Sequence, residues 1–278
     1  MTRTPITPVY VTDLIPEMRE ALLRILSGLT DEQWQQPTAC EGWSVKDVAL
    51  HLMSDDFNLL SNLRDKDGEW SDLQDWDALV GWINTRNEKW VVATRHISKV
   101  LLVELLRFSG AQVADYFRSL DPEADSGIQV SWAGDGKAPV WLEIAREYTE
   151  YWMHHQHICE ALDINSLTSH RYLHPMLDIS LRALPHTYRN MDAPDGTHIM
   201  LEITGAAADS WHLLREGDTW QLYADIDTEP ACHITLFEDT AWHLLTKGIT
   251  PQTARSSSTI TGDAALAAPF FEMISIIA

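Results

Sequence analysis

The apolar residues of this chain recur at helical spacing as far as about residue 190 and at strand spacing after it, and that one change of period is what most limits its fold. From Val9 to Gly28, the positions Leu14, Met18, Leu22, Ile25 and Leu26 mark one face of a helix that Gly28 can end. Thr30 and Gln33 have capping-box spacing and predict a short helical turn. The segment GWSVKDVALHLMSDDFNLLSNL predicts a long helix with Ser44 as its N-cap, Asp47 at N3 and Val45, Val48, Leu52 and Leu59 turned to the core. Two more helical patterns follow between Asp72 and Leu120, with breaks expected near Ser98 and Gly110. The Gly, Pro and Asp of DPEADSGIQVSWAGDGKAP predict an extended loop. Helices are expected again from about Val140 to Leu162 and from Tyr172 to Tyr188.

After Asn190 the runs HIMLEIT, SWHLLRE, DTWQLYAD and ACHITLF are short, β-like and separated by Gly, Asp and Pro. Two helical stretches, DTAWHLLTKG and GDAALAAPFFEMISIIA, enclose STITG, so this tail is α+β rather than all-β. The expectation is a two-domain chain, helical over residues 1–190 and α+β over 191–278.

Charge narrows the partners. Asp and Glu number 41 against 20 Lys and Arg, a formal net charge of −21, and the resulting field repels phosphate backbones and anionic lipid headgroups. Neither nucleic acid nor a membrane surface is expected as a partner. An anionic substrate would need local positive charge, from a metal or from placed Arg and Lys. Cys40, Cys159 and Cys232 are widely spaced and form no CxxC pattern, so idle thiols are the simplest reading. With no run of signal-peptide or membrane-span length, a cytoplasmic, reducing location is expected. The spacing of apolar residues gives no heptads and leaves the oligomeric state open.

Chemistry concentrates in EYTEYWMHHQHI. Glu150 and His154 are four apart, which sets a carboxylate and an imidazole about one turn apart on one helix face, where both can bind one metal ion. Catalytic zinc takes three protein ligands from His and carboxylate and keeps a further position for water or substrate, so a third ligand from another helix is required. The pair by itself arises often by chance. His154 and His157, three apart, are an alternative pair, and His155 points about 100° away from His154. A surface or supporting role is the simpler reading for His155 and His157. His51, about two turns inside its helix, reads locally as a hydrogen-bonded packing histidine. Asp47, one turn before it, either orients that imidazole or completes the helix cap, and the cap is the simpler reading.

Taken together, ACEGWSVKDVALHL (39–52) and AREYTEYWMHHQHI (145–158) resemble the two signatures of the mycothiol-dependent maleylpyruvate isomerase family, a branch of the DinB-like metal-binding four-helix bundles. The tail from about Thr197, with ITLFEDTAWHLLTKGIT and ITGDAALAAPFFEMISIIA, resembles the sterol-carrier-like C-terminal domain of the same family. The resemblance implies a DinB-like helical bundle followed by a small α+β domain. It also implies a divalent metal, usually zinc, held by His51, Glu150 and His154.

What the resemblance implies chemically is a low-molecular-weight thiol such as mycothiol as cosubstrate, because a thiol coordinated to the ion loses its proton and becomes a nucleophile. That thiolate either adds to a cis double bond and leaves again, as an isomerase requires, or stays attached to a small electrophile, as an S-transferase requires. The metal ligands are the same for both. Of the cations in the tail, Arg215, Lys247 and Arg255, Lys247 is the first candidate for anion binding, with favourable interaction with its helix's C-terminal dipole as the simpler reading. Arg146, one turn before Glu150, either pairs with it or faces solvent. Two other functions stay open at this point. One is a non-catalytic binder of an apolar ligand, with Trp132, Trp141 and Trp152 among its lining residues. The other is a metal-dependent hydrolase in which the ion activates water.

Overall fold

A computed structural model describes residues 2–68, 75–129 and 137–273. In chain order the elements are β1 (Arg3–Pro5), α1 (Leu14–Ser27), α2 (Val45–Leu59), α3 (Trp76–Thr94), α4 (Lys99–Ser119), β2 (Asp125–Gln129), β3 (Lys137–Pro139) and α5 (Val140–Ala161). There follow α6 (His170–Leu181), α7 (Leu184–Thr187), β4 (His198–Thr204), β5 (Asp209–Glu216), β6 (Thr219–Ile226) and β7 (Cys232–Phe237). The described chain closes with α8 (Glu238–Leu245), α9 (Pro251–Ser256), β8 (Thr259–Gly262) and α10 (Ala268–Phe271). Helices fill the N-terminal region and a sheet the C-terminal one, so the fold is mixed α and α+β. Contacts group residues 11–121 with 150–166 in one compact unit, and 1–10 with 122–149 and 167–278 in the other.

The helical unit holds α1 to α4 and the part of α5 from Glu150 onward. Its core is built from the apolar stripes that the sequence displays, with Leu22 and Leu26 of α1, Val48 and Leu52 of α2, and Leu102, Leu106 and Val113 of α4 all buried. Ser44 caps α2 in a full capping box: its hydroxyl accepts from the Asp47 N–H and the Asp47 carboxylate accepts from the Ser44 N–H. Asp47 also takes two hydrogen bonds from Arg95, at 2.9 and 3.3 Å. Beyond Leu59, α2 runs into one π-helical turn, Leu60–Arg64. The break expected at Ser98 is the N-cap of α4, whereas Gly110 breaks nothing and lies inside that helix. A Cβ there would lie 3.5 Å from the Arg19 side chain, an ordinary van der Waals contact.

The other unit is organised by a six-stranded sheet of order β1-β6-β5-β4-β7-β8, in which only β4 and β7 run parallel. Ile199, Leu201 and Ile203 alternate along β4 with His198, Met200 and Glu202, so one sheet face is apolar and the other polar. Trp211 donates a hydrogen bond to Asp178 of α6 at 2.7 Å, which ties that helix to β5. Three local expectations need correction. Within the tract after Leu120, where a loop is expected, β2 and β3 pair antiparallel. The expected helix from Tyr172 to Tyr188 is two helices, because Pro185, lacking an N–H, starts a new one at α7. A strand at residues 3–5, which no periodicity marked, extends the sheet edge beside β6. Trp132 and residues 274–278 of the expected tail helix lie outside the described residues. Among the described residues, no helix is long and apolar enough to cross a membrane.

Candidate metal centre

Three stretches of the helical unit deliver the polar side chains that meet between α2 and α5. The first is the loop before α2. Trp43 N–H donates to the Cys40 carbonyl at 2.9 Å, closing a β-turn whose third residue, Gly42, has φ +78. A type II turn needs a left-handed residue there, and glycine supplies it without strain. Thr38 and Trp43 are paired as well, at 3.0 and 2.9 Å, so the turn holds Cys40 and Trp43 in place against the start of α2.

The second and third are the helices themselves. His51 lies about two turns into α2 and is buried. Glu150 and His154 are one turn apart on α5, the first half-buried and the second buried. The fold brings these three together: Glu150 Oε1 is 3.1 Å from His154 Nε2 and 3.5 Å from His51 Nε2. The rings of His51 and His154 meet edge to face at 4.6 Å. Asp55, one turn along α2, puts Oδ2 3.2 Å from the same His51 nitrogen. The Trp43 ring covers His51 with centroids 5.1 Å apart.

These neighbours set the charge state of the cluster. Burial works to raise the Glu150 carboxyl, but the hydrogen bonds and charges of His154 and His51 outweigh it and hold the group far below the usual carboxylate range. Burial lowers the His154 imidazole, and Glu150 does not fully reverse it. For His51 burial also lowers the pKa, yet Asp55 and Glu150 together raise it above the ordinary value. An ionised carboxylate beside two imidazoles is a donor set suited to a divalent ion. The separations suit it too: at zinc bond lengths near 2.0–2.1 Å, neighbouring corners of a tetrahedron are about 3.3 Å apart. The His51 Nδ1 is buried and has no hydrogen-bond partner among the described residues, so the ring is fixed by its other nitrogen and by Trp43.

The remaining sequence candidates are placed as follows. His155 is buried, with Nε2 3.0 Å from Ser166 Oγ, and burial pushes it down to about 4; it supports the end of α5 and does not face the cluster. His157 is buried too and does face it, 3.3 Å from His154 Nδ1 and 3.2 Å from Cys40 Sγ. Of the surface or supporting role expected for both, the surface half does not hold, because α5 is buried around its whole circumference from Tyr151 to Cys159. Arg146 pairs with Glu147 at 2.9 Å. Lys247, exposed and left-handed at φ +61, follows the last turn of α8 in the sheet unit. Local reasoning missed Asp55, although its spacing from His51 is legible, and missed Cys40, whose part depends on the turn at Gly42.

Beside the cluster, an open cleft of about 520 Å³ is lined by Trp43, Ser44, Lys46, Asp47 and Arg95 among others. Lys46 and Arg95 give it positive charge within a strongly acidic chain. By contrast, the apolar space under the sheet, between Tyr188, Leu201, Trp211 and Phe270, amounts to about 10 Å³, barely enough for one water.

A helical unit carrying a His–Glu–His cluster across two helices, in one chain with an α+β sheet unit, is the class that the fold and the site define. The family model described as the mycothiol maleylpyruvate isomerase N-terminal domain matches residues 15–159, and the chain belongs to that family. No curated protein sequence matches the chain. Among solved structures, the mycothiol-dependent maleylpyruvate isomerase is similar over 84% of this chain and 86% of its own, at 11% identity and a TM-score of 0.47. A mutant of that enzyme is similar over 91% and 92%, at 11% identity and a TM-score of 0.49. Sterol Carrier Protein 2 Like 2 from Aedes aegypti is similar over 35% of this chain and 95% of its own, at 18% identity and a TM-score of 0.27.

Proposed function

We propose that this protein is a metal-dependent enzyme that uses a low-molecular-weight thiol, mycothiol or a close analogue, to isomerise a small electrophile or to transfer the thiol to it. The observation that carries this reading is the convergence of His51, Glu150 and His154 inside the segment that the family model matches. In this reading the three residues hold one divalent ion, zinc by preference for two imidazoles and a carboxylate. When bound there, the ion supplies acidification of a coordinated thiol, which makes it a nucleophile near neutral pH.

The chain's own groups do the rest. Glu150 is the most accessible of the three, with 28% of its side chain exposed. Asp55 Oδ2 lies 3.2 Å from the same His51 nitrogen that would face the ion, so it stands beside the three donors as a further carboxylate. Trp43 screens His51 and forms one wall of the cleft, where Asp47 balances Arg95 and Lys46 adds positive charge for an anionic partner of the reaction. A hydrolase would need a general base beyond the three donors, and the cluster offers Asp55 only in contact with His51.

The test is metal content of the purified chain beside His51→Ala and Glu150→Gln, followed by thiol consumption with a panel of electrophiles. Mycothiol, bacillithiol and glutathione are each supplied as the thiol. The expected result is bound zinc in the wild type, its loss in both variants, and metal-dependent consumption of one thiol. Equal metal content in all three proteins overturns the reading.

A further inference from the structure

His154 uses both faces of its ring. Its Nε2 meets Glu150 at 3.1 Å, while its Nδ1 lies 3.3 Å from His157 Nδ1 and 3.8 Å from Cys40 Sγ. Cys40 Sγ in turn is 3.2 Å from His157 Nδ1. The three atoms make a closed triangle. At zinc bond lengths of about 2.0–2.1 Å to nitrogen and about 2.3 Å to sulfur, tetrahedral corners lie about 3.3 Å apart for two nitrogens and about 3.6 Å for nitrogen and sulfur. The observed separations, 3.3 Å between the nitrogens and 3.2 and 3.8 Å from nitrogen to sulfur, bracket those values to within about 0.4 Å, on residues that are buried or half-buried. An N–H···N hydrogen bond between two neutral rings accounts for the 3.3 Å contact by itself; what points to a cation is the third donor, Cys40 Sγ, set within 3.2 and 3.8 Å of the same two nitrogens.

We propose that Cys40, His157 and the Nδ1 face of His154 form a second metal site, thiolate-bearing and adjoining the first through the shared imidazole of His154. Its donor set differs in kind from the first. One sulfur and two nitrogens select a thiophilic divalent ion, zinc or cobalt, over magnesium or calcium, which prefer oxygen. Binding releases the thiol proton of Cys40 to solvent. With both sites filled, the last N–H proton of His154 leaves as well, and the ring bridges the two ions as imidazolate.

The second site shares only His154 with the function proposed above, so the two readings can fail separately. The probe is Co²⁺ titrated into the metal-stripped full-length chain, read by absorbance and by metal analysis after desalting. Thiolate coordination gives a near-ultraviolet charge-transfer band that imidazole and carboxylate do not give. The expected result is two ions per chain and that band in the wild type. Cys40→Ser and His157→Gln are expected to keep one ion and lose the band, while His51→Ala and Glu150→Gln keep the band and lose the other ion. A wild-type chain with no charge-transfer band, or a band that survives in Cys40→Ser, overturns the second site and leaves the first untouched. Because the wild-type band requires no substitution, poor folding of a variant does not blunt the test.

Discussion

Tyr151 donates a hydrogen bond to Asp56 at 3.0 Å, and each of the two is the sequence neighbour of a cluster residue, Glu150 on α5 and Asp55 on α2. The same carboxylate takes a hydrogen bond from Ser109 of α4 at 2.6 Å and pairs with Arg19 of α1, whose guanidinium lies 4.0 Å from the centre of the Tyr151 ring. Four helices are thus pinned at one fully buried carboxylate, and their register fixes where His51 and His154 meet. Removing one partner of such a pair strands the other charge, at a cost of about 3–5 kcal/mol. Asp56→Ala is therefore expected to destabilise the chain by that amount in denaturant unfolding, and Tyr151→Phe by about 1–2 kcal/mol. An unchanged unfolding midpoint in Asp56→Ala would show that the network does not hold the bundle.

What the sequence revealed of this arrangement follows the range of the interactions. Ser44 and Asp47 cap α2 through contacts three residues apart, and the strands HIMLEIT and ACHITLF expose their alternation directly, so both are readable from short windows. Gly110 misled because local propensity marks glycine as a break, whereas here it continues α4. The pairing of His51 with the α5 residues has no local signal at all; each residue alone reads as ordinary packing, and only the resemblance of two separated signatures joins them. Cys40 and His157, separated by 117 positions, meet because of a glycine turn whose consequence is visible only in three dimensions.

That turn gives a second expectation. Gly42 sits at φ +78, and a Cβ there would meet nothing within 4 Å, so Gly42→Ala introduces backbone strain without a steric clash. The cost is expected to be about 1 kcal/mol in unfolding. The local consequence is larger, since a relaxed turn withdraws Cys40 from His157. Faster alkylation of Cys40 by a small maleimide in Gly42→Ala than in the wild type is the outcome that checks it; equal rates would mean that the loop is held by Thr38 and Trp43 alone.

Lys247 offers a kinetic expectation. Lys247 is exposed past the end of α8, and contact with an anionic group of the electrophile is a proposal from the sequence alone. Lys247→Ala is expected to raise KM severalfold for a carboxylate-bearing electrophile while kcat and metal content stay unchanged. The increase should shrink as ionic strength rises, because exposed charges are screened over about 10 Å at 0.1 M salt. A KM equal to that of the wild type would leave Lys247 with its helix-terminal role only.

Glu143 supplies a pH dependence that is independent of the cluster. It is buried near the start of α5, and its Oε1 has no hydrogen-bond partner among the described residues. Burial pushes its carboxyl up to about 7, with Arg146 opposing and Glu147 adding to the rise. A carboxyl whose folded pKa lies above its unfolded value favours the native state only while it is protonated. Its contribution is thus neutral below about pH 4.5 and becomes destabilising as pH climbs through 7, where it levels off. At about 1.4 kcal/mol for each pKa unit, the full effect is on the order of 3 kcal/mol. Glu143→Gln cannot ionise, so its stability relative to the wild type should rise between pH 4.5 and 7 and stay constant above that range. Urea unfolding of both chains at intervals across that range reads the difference directly. Parallel curves would show that the Glu143 charge is solvated in the native state.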